Sequence, residues 1–385
     1  MQTADVVVIG AGVIGASVAW HLASAGCRNV VVIDRSFEPG SGSTGRATGG
    51  FRAQFGSAIN IRLSLMAREK LLRFEEETGV DPGFRQAGYL FLASSAAQLD
   101  RLQQANDLQR RLGVSEARII DACEAAALNP AIDEGPFIGA AWSPSDGFIK
   151  PLEILRGYSE AAARMGVRFE SGTEAMAFEQ AGGCLVALRT NRGEIAAPIF
   201  VNAAGAWASR IGEMCGVDIP VVPLRRQVAA TVPTTVLPED MPMTIFADDG
   251  FHLRVRDGRV LLLWPDSGSV DDPFQSEVDD VWLSAVRRKS DARVGVLRNV
   301  PIDREACWAG LYEMSPDGHA LLGRTSGAGN LILVNGSSGH GVMHAPALGQ
   351  LASDLILGRA PQIDIHPLRP DRFADGEPVE SIELL

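Results

Sequence analysis

The sequence predicts a two-lobed protein, α/β in one lobe and α+β with mainly antiparallel strands in the other. Three observations predict it. Residues 5–34 read as an apolar strand over 6–9, the turn Gly10-Ala11-Gly12-Val13-Ile14-Gly15, a helix of small residues, and a second strand over 30–33 that ends at Asp34. Residues 219–300 are punctuated by Pro220, Pro223, Pro233 and Pro238 and carry short β-rich runs at 251–255 and 260–264. At 385 residues the chain also exceeds the size at which one core usually keeps growing.

The first unit is a dinucleotide-binding pattern. Gly10 permits the tight turn, Gly12 lets backbone N–H groups approach a pyrophosphate at the helix N-terminus, and Gly15 lets the helix pack closely on the strand. Asp34 stands at the spacing where a carboxylate accepts hydrogen bonds from a ribose hydroxyl, with Arg35 beside it. Strand, helix, second strand and acid occur in register, which favours a bound dinucleotide over a glycine-rich structural turn.

The following loop, 39–56, is too rich in glycine to be built for core packing. A helical stretch carries Leu63, Leu65, Met66, Leu71, Leu72 and Phe74 on a broad apolar face. Then come a short strand at 88–92, a polar helix at 96–112, and a loop-rich link at 130–151 containing Asp146-Gly147. An amphipathic helix over 152–165 leads into a strand at 167–169, with further strand signals at 184–190 and 195–199. Late in the chain a buried-strand pattern at 331–334 precedes the glycine loop 336–341 and a helix from about 345 to 357. The first lobe is thus assembled from 1–85, 146–218 and 301–385, and the second from 86–145 and 219–300.

A formal net charge of -12 without clustered lysine or arginine argues against nucleic acid or anionic membrane as partner. The cysteines, at 27, 123, 184, 215 and 307, show neither C-x-x-C nor metal-ligand spacing and read as reduced, mostly buried thiols. No signal peptide is visible and no apolar run approaches the roughly 18 residues of a membrane span, so a cytoplasmic location without membrane insertion is expected. His21 and His319 read as structural, His366 lies in a polar tail, and the histidines form no metal set.

The phosphate turn alone serves nicotinamide and flavin dinucleotides equally; three later stretches separate them. Ser41-Gly42-Ser43-Thr44-Gly45-Arg46 offers backbone donors, hydroxyls and a cation to an extended dinucleotide. Ala203-Ala204-Gly205 ends an apolar strand with residues small enough for close backbone approach. Gly336-Ser337-Ser338-Gly339-His340-Gly341 precedes a helix whose N-terminus could stabilise negative charge on a reduced ring.

In this order the pieces resemble the D-amino-acid-oxidase-like family of FAD-dependent oxidoreductases, closest to the β-subunit type of sarcosine oxidase and L-proline dehydrogenase. The resemblance covers nearly the whole chain. It rests on the first glycine turn, on 41–46, on Gly50-Phe51-Arg52-Ala53-Gln54-Phe55-Gly56, on 201–207, on Gly310-Leu311-Tyr312-Glu313-Met314-Ser315-Pro316-Asp317-Gly318, and on Gly339-His340-Gly341-Val342-Met343-His344-Ala345-Pro346. It implies a Rossmann-like FAD-binding domain with an interleaved, mainly antiparallel-sheet substrate domain, the ring at their junction, and hydride transfer from an amine-bearing carbon to flavin N5. The cofactor contacts it implies are Gly10, Gly12, Val13, Ile14, Gly15, Asp34, Arg35, Ser41, Ser43, Thr44, Arg46, Ala204, Gly205, Trp207, Gly310, Gly339, His340, Gly341, Val342 and Met343. Gly310 stands where relatives carry a covalent flavin cysteine, with Cys307 three residues earlier, so the FAD is expected to be non-covalent.

The same resemblance gives the substrate side. Arg52 matches a substrate-carboxylate arginine, Tyr312 a site-lining tyrosine, and His252 replaces another tyrosine. His340 either tunes the ring or holds the glycine loop in shape. Met343 stands where a second, lysine carboxylate partner occurs, and Leu262 where a lysine assists reaction with oxygen, which points to a dehydrogenase. The expected function is oxidation of the C–N bond of a small, secondary amino acid or amine, with a separate electron acceptor or partner subunit. The alternative is a flavin-carrying subunit of a larger amino-acid dehydrogenase with little activity alone. A NAD-binding regulatory protein is disfavoured by the three later glycine stretches.

Overall fold

The structure, a computed structural model, describes residues 1–129, 131–132, 137–265 and 272–384. Part of the expected link at 130–151, namely 130 and 133–136, lies outside the described residues, as do 266–271 of the second lobe.

Four apolar runs buried on both faces form the centre of the first lobe, as strands of a covered parallel sheet do. The six-stranded order is Leu321–Arg324, Leu331–Asn335, Ile199–Asn202, Val6–Ile9, Val30–Asp34, Arg168–Ser171. All neighbours are parallel except the first pair, a hairpin. Helices Val13–Ser24, Gly341–Ile356, Pro151–Arg164 and Ala58–Leu72 pack together on this sheet. The first two meet through small residues: a Cβ on Gly349 would lie 2.1 Å from Ser17 Oγ, and that hydroxyl donates to Ala345 O at 2.8 Å.

The strand expected at 195–199 is two elements. Gly193–Ala196 belongs to a four-stranded sheet with Gln2–Thr3, Cys184–Thr190 and Ala175–Ala181, whereas Ile199–Asn202 enters the six-stranded one. Pro198 between them has no N–H to continue a ladder. The loop 39–56 also differs from expectation. Phe51, Ala53 and Phe55 are at most 4 % exposed and belong to the main core, because the glycines around them let the backbone carry these side chains inward. The final helix starts at Gly341, not near 345, and includes Pro346. Of the cysteines, Cys123 and Cys184 are exposed and Cys215 is buried.

The second lobe is an eight-stranded sheet, ordered Trp308–Met314, Val222–Ala230, Arg259–Leu263, His252–Arg256, Met243–Phe246, Tyr89–Ala93, Gly139–Ser143, Arg118–Asp121. Its pairs are antiparallel except Met243–Phe246 with Tyr89–Ala93. Trp308–Met314 pairs with Val222–Ala230 from Val228↔Trp308 to Val222↔Met314, so it joins this sheet although the sequence places 301–385 in the first lobe. Such pairing links segments some eighty residues apart, and local pattern carries no sign of it.

Buried polar clamps join the lobes. Arg254, 4 % exposed, donates to Thr48 O at 2.7 Å and Gly49 O at 3.2 Å and stacks 3.6 Å over Phe148; burial lowers its pKa only to about 10, so it stays charged. Within the first lobe, Gly50–Phe51 pairs with Gly147–Phe148, and Asp146 accepts the N–H groups of Ala53 at 2.8 Å and Gln54 at 3.4 Å, which holds the loop that Arg254 grips. The C-terminal segment is pinned by Arg372, fully buried, whose Nε and Nη2 each reach Asp317 at 2.8 Å. Removing one partner of such a pair leaves an uncompensated buried charge. Arg372→Ala is therefore expected to cost about 3–5 kcal/mol, read as a lowered midpoint in urea unfolding; an unchanged midpoint would refute the pair's structural role.

Candidate active site

The crevice at the carboxyl ends of the parallel strands is shaped by two kinds of glycine. Gly10, at φ +105°, would place a Cβ 2.3 Å from Ala203 O, and a Cβ on Gly15 would lie 1.9 Å from Gly10 O; these positions are closed by protein. Gly12 and Gly205 face outward instead. A Cβ on Gly12 would meet only Thr44 Oγ1, at 3.3 Å, and one on Gly205 would meet nothing nearer than Glu313 Oε2 at 4.0 Å. Helix Val13–Ser24 starts after Gly12, which has no side chain to cap it, and carries no acid in its first turn, so no charge of its own offsets the dipole facing this space.

Around the turn, Val13 N–H donates to Thr44 Oγ1 at 3.1 Å, and Asp34 accepts from Ala11 N–H and Ser36 N–H, each at 2.8 Å. The carboxylate keeps unused lone pairs for hydroxyl donors. Arg35 lies 4.0 Å over the Trp207 indole, which stacks on Phe274 at 5.4 Å. The segment 41–46 docks on Trp308–Met314. Ser43 Oγ donates to Leu311 O and Arg46 Nη1 to Ala309 O, both at 2.7 Å, and a Cβ on Gly310 would lie 2.9 Å from Arg46 Cβ. Ser41 Oγ bonds Ser36 Oγ at 2.7 Å. Ala204 N–H is held by Asn202 Oδ1 at 3.1 Å. Met343 is buried in the first-lobe core with Val342 packed against that core, and Ile14 touches the start of their helix: its Cδ1 would lie 3.4 Å from a Cβ on Gly341.

The four residues expected at the chemistry come together at the lobe junction. Arg52 Nη2 lies 3.3 Å from His340 Nε2, Nη1 donates to Gln54 O, and its guanidinium sits 3.9 Å over the Phe55 ring. Tyr312 lies against Gly339, where a Cβ would fall 2.4 Å from its ring. His252 is on the same sheet face, with Nδ1 2.8 Å from Gly250 O, which makes Nδ1 the donor and leaves Nε2 an acceptor. Withdrawal from water, reinforced by the Arg52 charge, lowers His252 to about 4 and holds His340 well below its usual value. Desolvation also lowers Arg52, with Tyr89, Asp146 and Tyr312 opposing it.

Sequence reading passed over several groups here. Tyr89, whose hydroxyl would lie 2.0 Å from a Cβ on Gly50, Arg226, which lies 5.8 Å from the Tyr312 ring, and the buried Glu313 all border the site. Of these only Glu313 sat inside a marked motif; Arg226 reaches the site through the long-range pairing Arg226↔Gly310. Leu262 is misplaced by the sequence reading. It packs on the far face with Leu253, Phe251 and Val286, while Leu263 pairs with His252 and faces the junction. Strand alternation inverts the assignment with a one-residue slip.

The crevice fits FAD. Open glycine faces at 12 and 205, a helix N-terminus with no acid in its first turn and the buried Glu313 Oε2, unpartnered among the described residues, line one continuous set of strand ends. Gly10, Gly12, Asp34, the 41–46 segment, Gly205 and Gly341 would hold the dinucleotide there.

Comparison with known proteins agrees. The family model "FAD dependent oxidoreductase" (DAO) matches residues 5–355. Mitochondrial dimethylglycine dehydrogenase of Mus musculus is 29% identical over 96% of this chain and 44% of its own length, so this chain spans less than half of that relative. Glycine oxidase of Geobacillus kaustophilus is 27% identical, covering 94% of this chain and 95% of that protein. Among solved structures, L-proline dehydrogenase from P. horikoshii superposes with a TM-score of 0.90 at 30% identity, covering 98% of this chain and 99% of that one.

Gly10→Ala places its methyl against Ala203 O in a backbone conformation that alanine avoids. The purified variant is expected to carry little flavin by visible absorbance; wild-type flavin content would show that the turn does not bind it.

Proposed function

The chain belongs to the family of FAD-dependent oxidoreductases, and on that premise we propose that it oxidises the C–N bond of a small amino acid or amine, with a secondary amino acid as the best-fitting substrate. FAD, when bound, supplies the acceptor for a hydride leaving the carbon next to nitrogen.

Arg52 carries the reading. It is a partly desolvated guanidinium at the lobe junction whose contacts are a carbonyl, an imidazole and two aromatic rings, with no carboxylate bonded to it among the described residues. A substrate carboxylate would supply that missing anion in a charge-assisted, bidentate pair. Anchoring the carboxylate fixes the α-carbon, and alignment is the main contribution a protein makes to such a step. Asp146 and Arg254 hold the loop that presents Arg52, the first through Ala53 N–H and the second through Thr48 O. His252 and His340, both neutral, add no competing positive charge, and His252 Nε2 can accept a proton-bearing nitrogen's hydrogen bond. The similar enzymes named above, which act on dimethylglycine, glycine and L-proline, support this substrate class.

The electrons go to an acceptor other than oxygen in this reading, through a partner protein or carrier. The chain has three lysines, Lys70, Lys150 and Lys289; Lys70 bonds Gln350, Lys289 pairs with Asp249, and Lys150 is exposed beside Gly83. The site-facing position next to His252 is Leu263.

Anaerobic flavin bleaching tests the anchor. Losing a hydrogen bond between charged groups costs about 1.5–3 kcal/mol, so Arg52→Ala should raise the half-saturating concentration of an amino acid roughly 10- to 100-fold. An amine without a carboxylate should bleach both proteins alike; equal half-saturation for amino acids would remove Arg52 from the site. At low substrate the bleaching rate should rise with pH along the substrate ammonium's titration, since His252, at about 4, is already neutral above about pH 5. His252→Asn should leave that midpoint in place, and a shifted midpoint would make the imidazole the titrating group. Turnover should be faster with an artificial acceptor than with oxygen; rapid oxygen consumption would overturn the dehydrogenase reading.

A further inference from the structure

Amine oxidation as outlined above leaves a buried acid beside the crevice without a role. Glu313, 8 % exposed, lies on Trp308–Met314 between Tyr312 and Met314. Its main-chain carbonyl accepts Ser338 N–H at 3.0 Å and its Oε1 accepts Ser337 N–H at 3.2 Å, but among the described residues the buried Oε2 has no hydrogen-bond partner, nor has the buried Ser337 hydroxyl. The carboxyl stands where three strand-end segments converge. A Cβ on Gly205 would lie 4.0 Å from Oε2, and one on Gly341 would lie 3.6 Å from Oε1 and 3.4 Å from Ile14 Cδ1. These segments follow Ile199–Asn202, Leu331–Asn335 and Val6–Ile9, the central strands whose carboxyl ends bound the ligand crevice of an open α/β sheet.

A carboxyl serving only to clip the loop at 336–341 needs one oxygen. Leaving the second one buried and unpaired costs about 1–3 kcal/mol unless something supplies its partner. The flanking positions, Gly205 and Gly341, are glycines, so no side chain of theirs fills that role.

We propose that Glu313 is a positioning residue for FAD, whose free Oε2 hydrogen-bonds the cofactor where the three strand-end loops meet and which takes up a proton as the cofactor binds. The proton follows from electrostatics. Burial pushes the Glu313 carboxyl up to about 7, against the pull of the Ser337 N–H and hydroxyl and the Gly336 N–H, so it is near half-ionised at neutral pH before any cofactor is present. A dinucleotide brings a doubly negative pyrophosphate into the same crevice and removes more water, and both effects favour the neutral acid. The charged and titratable side chains on the elements packed against it are Tyr312 on its own strand, Arg225 and Arg226 on Val222–Ala230, and Arg46, His340 and His344 on the adjoining segments. Burial holds His340 well below its usual value and His344 near 3, and none of these groups outweighs the burial of Glu313.

The test measures the dissociation constant of FAD on the full chain, by flavin fluorescence on dilution of the holoprotein, between pH 6 and 9. Wild-type affinity should weaken with rising pH, toward about tenfold per unit above pH 7, because the bound state holds the extra proton. Glu313→Gln, which donates and accepts as the neutral acid does, should keep the low-pH affinity and lose the slope. Glu313→Ala should bind several-fold more weakly at every pH. A Glu313→Gln protein with the wild-type slope, or a Glu313→Ala protein with wild-type affinity, overturns the proposal. The readout does not depend on substrate, so the outcome is independent of whether the enzyme oxidises amines.

Discussion

Backbone approaching backbone at the end of the first strand is the constraint on which the rest of the structure depends. Gly10 lies against Ala203 and Gly15 against Gly10, closer than any side chain permits, and this brings helix Val13–Ser24 down onto the parallel sheet. Gly349 against Ser17 then lets helix Gly341–Ile356 lie alongside it. Two helix N-termini are thereby aimed at one crevice, neither with an acid in its first turn. An anionic ligand is what such a geometry favours.

The junction between the lobes is held by charges that keep their ionisation although water is withdrawn from them. Arg254 reaches two carbonyls across the boundary, and Asp146 gathers two N–H groups of the loop that carries Arg52. Burial raises Asp146 to about 6, opposed chiefly by those backbone donors. Arg52 bonds a single carbonyl where Arg254 bonds three, and this contrast separates a charge used for architecture from one left for a ligand. The histidines at the same junction resolve the other way: desolvation beside a fixed cation keeps them neutral, so they contribute shape and hydrogen-bond acceptors rather than charge.

Much of the first lobe was legible because its signals are local. The run 6–9, the glycine turn, the strand closing at Asp34 and the strand at 331–335 each declare themselves within a few residues, and the structure places them in one sheet. The loop 39–56 misled because glycine content hides the alternating Phe51, Ala53 and Phe55 that the core absorbs. The strand expected at 195–199 failed at Pro198, where one chain segment passes between two sheets. In the second lobe the short β-rich runs were visible, but their order was not.

Sequence by itself determined the dinucleotide crevice, since a turn that tolerates no Cβ can be written only with glycine, and it singled out Arg52, Tyr312 and His340 through the motifs that contain them. Tertiary structure alone decided which face of each second-lobe strand looks at that crevice. A one-residue slip moved the site-facing position from Leu262 to Leu263, and pairings across some eighty residues brought Arg226 beside Tyr312. Register in an antiparallel sheet is set by partners distant in the chain, so the chemistry of that wall, including the unpaired oxygen of Glu313, is written in the packing and not in any local run of residues.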